Sequence, residues 1–180
     1  MLTIDNVSFS YSRHTQLIEN FSMTLQPGTV CGLLGKNGAG KTTLLYLICG
    51  LLAPKSGLID FRGMQPMERS TAFLNDVFIV PEEFSLPNVE LSSYVEVNAP
   101  FYPNFNLEQL HHYLEVFELR PDLHLGRLSM GQKKKAFMSF AMACNTSLLI
   151  LDEPTNGLDI SSKRNFRRVL AECMTDDKSI

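Results

Sequence analysis

The chain contains no tryptophan, and its cysteines, Cys31, Cys49, Cys144 and Cys173, are scattered with no C-x-x-C pair. That spacing offers neither a zinc site nor a redox pair, and favours small core thiols in a reducing compartment over disulfides. No apolar run approaches the ~20 residues that cross a bilayer. The N-terminus, MLTID, lacks the charged stretch and long apolar segment of a secretory signal, so a cytoplasmic protein is expected. Positive charge is not in excess: 16 Lys and Arg against 19 Asp and Glu leave a net charge of −3. A nucleic-acid partner bound by bulk electrostatics is therefore not expected. His14, His111, His112 and His124 have no carboxylate or cysteine at metal-ligand spacing, and read as surface or packing residues. What remains is 44% hydrophobic and 19% charged over 180 residues, which suits one domain with room for a small insert.

The most informative stretch is GKNGAGKT at 35–42, which fits G-x-x-x-x-G-K-[ST] at every fixed position. The apolar run TVCGLL at 29–34 reads as a buried strand before it, and TLLYLI at 43–48 as a core helix after it. A glycine-rich turn that binds nothing would not need both neighbours. Gly35, Gly38 and Gly40 let the backbone wrap tightly and point its N–H groups inward as an anion nest. The following helix adds its positive end. Lys41 carries charge to the β- and γ-phosphates of a nucleotide, and Thr42 offers a hydroxyl to Mg²⁺.

Residues 2–9 alternate apolar and polar as a half-buried strand does, and 18–25 gives a second strand with Phe21, Met23 and Leu25 on one face. A short strand is expected at 58–61. The run VFIV at 77–80 has strand length and ends at Pro81, where the chain must leave the sheet. The texture then changes. Leu107, Leu110, Leu114 and Phe117 recur at helical spacing, which predicts an amphipathic helix over 106–119, with a weaker one over 91–99. Residues 84–127 thus read as a helical subdomain inserted into an α/β core.

A long helix is expected from LSMGQ at 128–132, with Ser129 as its N-cap. Lys133, Lys134 and Lys135 oppose the helix dipole. They are either a solvated face or the backing of an anion site. SLLIL at 147–151 reads as a second buried strand ending in Asp152 and Glu153. Adjacent carboxylates at the end of an apolar strand are costly unless something uses them, and a Mg²⁺-nucleotide beside them is such a use. Asp152 would hold the metal, and Glu153 would orient or deprotonate an attacking water. A turn at 155–159, a helix over 161–174 and the start of another strand at 178–180 complete the chain.

These residues, in this order, resemble the nucleotide-binding subunit of an ABC transporter along the whole chain. The phosphate loop marks only a superfamily; LSMGQ just before the carboxylate strand is far more specific, resembling the family's L-S-G-G-Q. The resemblance implies an α/β fold: a P-loop NTPase three-layer core with an N-terminal antiparallel β subdomain and the inserted α-helical subdomain, which extends into helix 128–144. It implies ATP and Mg²⁺ as cofactors. Tyr11 would stack on adenine; Gly35, Lys36, Asn37, Gly38, Ala39, Gly40, Lys41, Thr42 and Thr43 would hold the phosphates. Ser129, Gly131, Gln132 and Asp159 would meet the nucleotide of a second subunit. Thr42, Asp152 and Glu82 would serve the metal, and Glu153 the hydrolysis. The implied partners are a second copy or a homologous ATPase subunit, in a head-to-tail dimer around two ATP molecules, and separate integral-membrane subunits at the cytoplasmic face. A nucleotide-gated clamp that does no transport is the alternative; a kinase or GTPase would not explain LSMGQ.

Three positions depart from the family. Met130 replaces the first signature glycine and adds bulk, while Ser129 and the Gly131 N–H remain for binding. Glu82, or Glu83 in another register, stands where the family has glutamine. The family continues past position 180 to a histidine that contacts the γ-phosphate, so a domain incomplete at its C-terminal end is expected, with slow or absent hydrolysis and ATP binding partly retained. A carboxylate at position 82 attracts Mg²⁺ more strongly than an amide but repels the γ-phosphate and Glu153. Glu82→Gln should therefore shift the free-Mg²⁺ dependence of nucleotide turnover; an unchanged Mg²⁺ titration would show that Glu82 does not serve the metal.

Overall fold

The structure is a computed structural model, and it describes residues 1–12 and 15–180. His14 lies outside the described residues. The alternating N-terminal stretch forms β1 (Leu2–Phe9), which pairs antiparallel with β2 (Ile18–Leu25) on one side and β3 (Ser56–Phe61) on the other. The buried face of this sheet, including Ile4, Val7, Leu25, Ile59 and Phe61, packs with Leu44, Leu47 and Ile48 of α1 (Lys41–Ile48). α2 (Thr71–Asp76), capped by the Ser70 side chain, runs directly into β4 (Val77–Val80).

β4 and β5 (Leu148–Leu151) pair in parallel, from Val77↔Leu148 to Val80↔Leu151. Successive strand side chains point to opposite faces. Val77, Leu148 and Ile150 accordingly join the core of the antiparallel sheet and α1, whereas Phe78, Val80 and Leu149 join a second core. The second core is built by α3 (Leu91–Asn98), α4 (Leu107–Val116), α5 (Met130–Ala143) and α6 (Ile160–Glu172). The parallel strands are thus the middle of three layers. Phe140 of α5 is a hub between them, with ring centroids 5.1 Å from Tyr94, 5.4 Å from Phe105, 6.0 Å from Phe78 and 6.3 Å from Tyr102. His112 ties α4 to α6 through Glu172 at 2.8 Å.

Cys31, expected as a core thiol, is exposed, unlike the buried Cys49, Cys144 and Cys173, and two further sequence expectations need correcting. Residues 29–34 are not in a strand and are not buried; Val30 is 54% exposed and Leu34 98%. A strand needs a ladder. Among the described residues, this run makes only the pair of backbone bonds from Cys31 N–H to the Ile180 carbonyl and from Ile180 N–H to the Thr29 carbonyl. Ser179 in turn bridges Leu148 in parallel. A slot of about 300 Å³ lined by Leu33, Leu45, Ile150, Leu151, Leu170 and Ile180 lies between the run and β5. The second correction is Leu107. The buried stripe of α4 runs through Leu110, Tyr113 and Leu114 to Phe117 at its C-cap, while Leu107, in the first turn, is 50% exposed.

α1 stops at Gly50, whose φ of 65° lies in the left-handed region and whose missing Cβ makes room for the Pro66 carbonyl. Gly50→Ala adds a left-handed alanine and a clash with backbone. It should destabilise the protein by about 2–4 kcal/mol, read from the urea midpoint.

Candidate nucleotide-binding site

The loop at 35–40 turns through Gly38 (φ 81°) and Gly40 (φ 91°), conformations that only glycine adopts freely. Gly40 is the N-cap of α1 and supplies no side-chain cap, and the first turn carries no acidic residue. The N–H groups at this end therefore remain available to an anion. Lys41 folds back over the loop, its Nζ donating to the Gly35 carbonyl at 2.9 Å and the Lys36 carbonyl at 3.3 Å.

The ends of two distant segments meet beside it. Thr42 Oγ1 donates to Asp152 Oδ2 at 2.7 Å, and Asp152, at the end of β5, is only 4% exposed. Asp152 is held in place by its own N–H, which donates to the Val80 carbonyl at 2.9 Å. Glu153 follows with φ 45°, in the left-handed region. Glu82, where the chain leaves β4, accepts from Asn156 Nδ2 at 2.9 Å.

These groups share one cavity of about 360 Å³, lined by Tyr11, Leu17, Asn37, Gly38, Gly40, Lys41, Thr42, Thr43, Glu82, Asp152 and Glu153. Gly35, Lys36 and Ala39 belong to the same loop without lining the cavity. Tyr11 is 69% exposed at the rim, its hydroxyl 3.1 Å from Thr43 Oγ1 and its ring edge-on to Phe9. Of the two candidate glutamates, Glu82 lines the cavity and Glu83 does not. Among the described residues no group of three or more His, Cys, Asp or Glu side chains could hold a metal. The Thr42 hydroxyl and the buried Asp152 carboxylate nevertheless form a hard oxygen pair, which suits a cation that takes its remaining ligands from phosphate and water.

The other expected residues lie elsewhere. Ser129 and Gln132 form a reciprocal capping box at the start of α5: Ser129 Oγ accepts from Gln132 N–H at 3.3 Å, and Gln132 Oε1 accepts from Ser129 N–H at 3.0 Å. Met130 is 61% exposed, and Gly131 faces the Gly157 carbonyl. Asp159 caps α6, accepting from Ser161 Oγ at 2.6 Å, Ser162 N–H at 2.7 Å and Ser162 Oγ at 2.9 Å. None of Ser129, Gly131, Gln132 and Asp159 lines the cavity that Lys41 enters.

The lysine run is not uniform. Lys134 is 7% exposed and donates through Nζ to the Glu153 carbonyl at 3.0 Å and the Asn156 carbonyl at 3.1 Å. It is neither solvated nor part of an anion site. Burial pushes its pKa down, and the carboxylates of Glu82, Glu153 and Asp152 oppose that shift. Its spacing with buried Met138 and Ala141 was the available signal, because i, i+4 and i+7 share a helix face.

The family described as ABC transporter matches residues 18–156 of this chain. The chain belongs to the ABC transporter family. It is 32% identical over 188 aligned positions to the zinc uptake system ATP-binding protein ZurA of Listeria innocua, covering 96% of this chain and 71% of that protein. It is 27% identical over 157 to the ABC transporter ATP-binding protein YtrB of Bacillus subtilis, covering 87% of this chain and 54% of YtrB. The chain thus spans about half the length of that relative. An ABC transporter ATP-binding protein from Pyrococcus furiosus superposes with a TM-score of 0.83 at 27% identity, covering 99% of this chain and 90% of that one. The P-loop NTPase fold of ABC ATPases is therefore that of this chain, and nucleotide binding comes with the family.

Within this ABC domain the α6 cap carries a pH signature. Hydrogen bonds from Ser161 and then Ser162 hold the Asp159 carboxyl well below the usual carboxylate range. A depressed folded-state pKa gives stability that is fully present above the unfolded value of about 4 and is lost as pH falls below it. Asp159→Asn keeps a neutral cap, so its Tm should fall less steeply than the parent's between about pH 4 and 2.

Proposed function

We propose that this chain is the ATP-binding and ATP-hydrolysing subunit of an ABC transporter, acting on the cytoplasmic face of a membrane through separate integral-membrane subunits. The observation that carries the reading is the single cavity joining the phosphate loop, the rim aromatic Tyr11, the Thr42–Asp152 pair and the carboxylates Glu153 and Glu82. Adenine would lie on Tyr11, with the phosphates on the loop N–H groups and Lys41. Thr42 and Asp152 would hold Mg²⁺, with Glu82 beside them, and the cation would neutralise charge on the phosphates. Glu153 would orient the attacking water and accept its proton.

The capped start of α5 supports a second contact. Ser129, Gly131 and Gln132 lie outside the chain's own cavity, at a helix N-terminus that favours anions. A second copy, or a homologous subunit, arranged head to tail would bring its nucleotide there, with Asp159 near the shared boundary. ATP would then hold the dimer closed, and hydrolysis would release it. The helical insert at 84–127 follows the Glu82 loop directly, and its Tyr94, Phe101 and Tyr102 line a groove of about 610 Å³ with Phe78 and Phe140. That groove supports contact with the membrane subunits, so that closure of the dimer moves them. Among the described residues no helix is long and apolar enough to cross a membrane.

The test is Mg²⁺-dependent binding of an adenine nucleotide at equilibrium. Lys41→Met should weaken it by about 10–100-fold. Glu153→Gln should keep ATP affinity, lower the hydrolysis rate by about 10²–10⁴ and accumulate an ATP-dependent dimer in light scattering. No Mg²⁺-dependent affinity in the parent protein would overturn the reading.

A further inference from the structure

The buried ammonium of Lys134 lies outside the cavity, yet it is bonded to the main chain of the residue next to it. Its acceptors are the carbonyls of Glu153 and Asn156. The same Glu153 carbonyl accepts from Asn156 N–H at 3.1 Å, which closes the 153–156 turn. Asn156 then reaches Glu82 through its side chain. Among the described residues no carboxylate lies within salt-bridge distance of Lys134. A cation on so buried a side chain, without a direct ion pair, is costly unless carbonyl dipoles and nearby negative charge compensate it. Here two carbonyls bind it, and Asp152, Glu153 and Glu82 supply the surrounding charge. Glu153 meanwhile occupies a left-handed backbone conformation that a non-glycine residue keeps only when its surroundings enforce it.

We propose that Lys134 is a positioning residue for ATP hydrolysis: by clamping the Glu153 and Asn156 carbonyls it fixes the backbone from which the Glu153 carboxylate projects. This rests on the role proposed above for Glu153. Lys134 sits just over one turn beyond Ser129 on α5, so the clamp also joins the helix start offered to a neighbouring nucleotide to the carboxylate serving the chain's own. A γ-phosphate docking on Ser129 would then be registered at Glu153 through a single side chain. No other described side chain bonds both elements.

The test uses the whole chain with Lys134→Met, which conserves stem volume, Lys134→Arg, which restores a cation with several donors, and Glu153→Gln. ATP affinity, single-turnover hydrolysis at saturating ATP, and amide exchange of the peptide spanning 152–158 are measured together. Lys134→Met should lower the single-turnover rate by about 10–100-fold, leave ATP affinity within about twofold, and speed exchange at 153–157. Lys134→Arg should recover much of the rate. If the methionine variant is insoluble, Lys134→Gln takes its place with the same readouts. A parental rate in the methionine or glutamine variant, with Glu153→Gln inactive, would overturn the proposal alone. Loss of affinity in parallel with rate would also overturn it, because a general structural role predicts that. A fully active Glu153→Gln would overturn the reading of Glu153 itself, and the proposal with it.

Discussion

The hydrogen bond from Thr42 to Asp152 joins residues 110 positions apart, and the site depends on it. Thr42 is the second residue of α1, and Asp152 follows the last residue of β5. For the two to meet, the phosphate loop must sit beside the carboxyl end of the parallel pair. That is where ligands bind in open α/β sheets. The in-register pairing of β4 with β5 does the placing. It delivers Glu82 and Asp152 from adjacent strand ends to one cavity, and the backbone bond from Asp152 to Val80 fixes their relative height.

The division of labour between layers follows from the two-residue period of these strands. One face of β4 and β5 is committed to the antiparallel sheet and α1, the other to the helical layer. The nucleotide elements therefore come from both layers and converge only at the strand ends. α1 begins at the phosphate loop, α5 begins at the Ser129–Gln132 capping box outside that cavity, and the turn after β5 lies between them. Lys134 spans that gap from the helical side.

Much of this was legible because its determinants are local. The loop at 35–42 declares itself by glycine spacing, and Ser129 and Gln132 by the capping pattern. β4 and β5 declare themselves by uninterrupted apolar runs of strand length. The failures share a physical cause: each residue's state depends on a neighbour distant in sequence. Residues 29–34 have the composition of a buried strand, but Val30 and Leu34 are exposed, and the run's backbone bonds go to Ile180, about 150 positions away. Leu107 fits the helical period of α4, but the packed stripe begins a turn later. The lysine run at 133–135 reads as either a solvated face or the backing of an anion site, and Lys134 is neither. Only the carbonyls of Glu153 and Asn156, which the turn after β5 brings to it, make burial tolerable.

The aromatic hub around Phe140 bears on stiffness. Its rings come from α3, from residues 102 and 105 in the insert, from β4 and from α5 itself. Interlocked rings resist sliding, because close-packed interiors switch between discrete arrangements rather than deform smoothly. Because Phe78 belongs to β4, the same rings tie the insert and α5 to the parallel strands as well as to each other. The Pro81–Phe84 segment leaving β4 is held to the same layer, with the Phe84 ring centroid 4.8 Å from that of Phe137. Glu82 thus leaves β4 between two anchored aromatic rings, Phe78 and Phe84, so its place beside the phosphate loop is set by the packing of the helical layer.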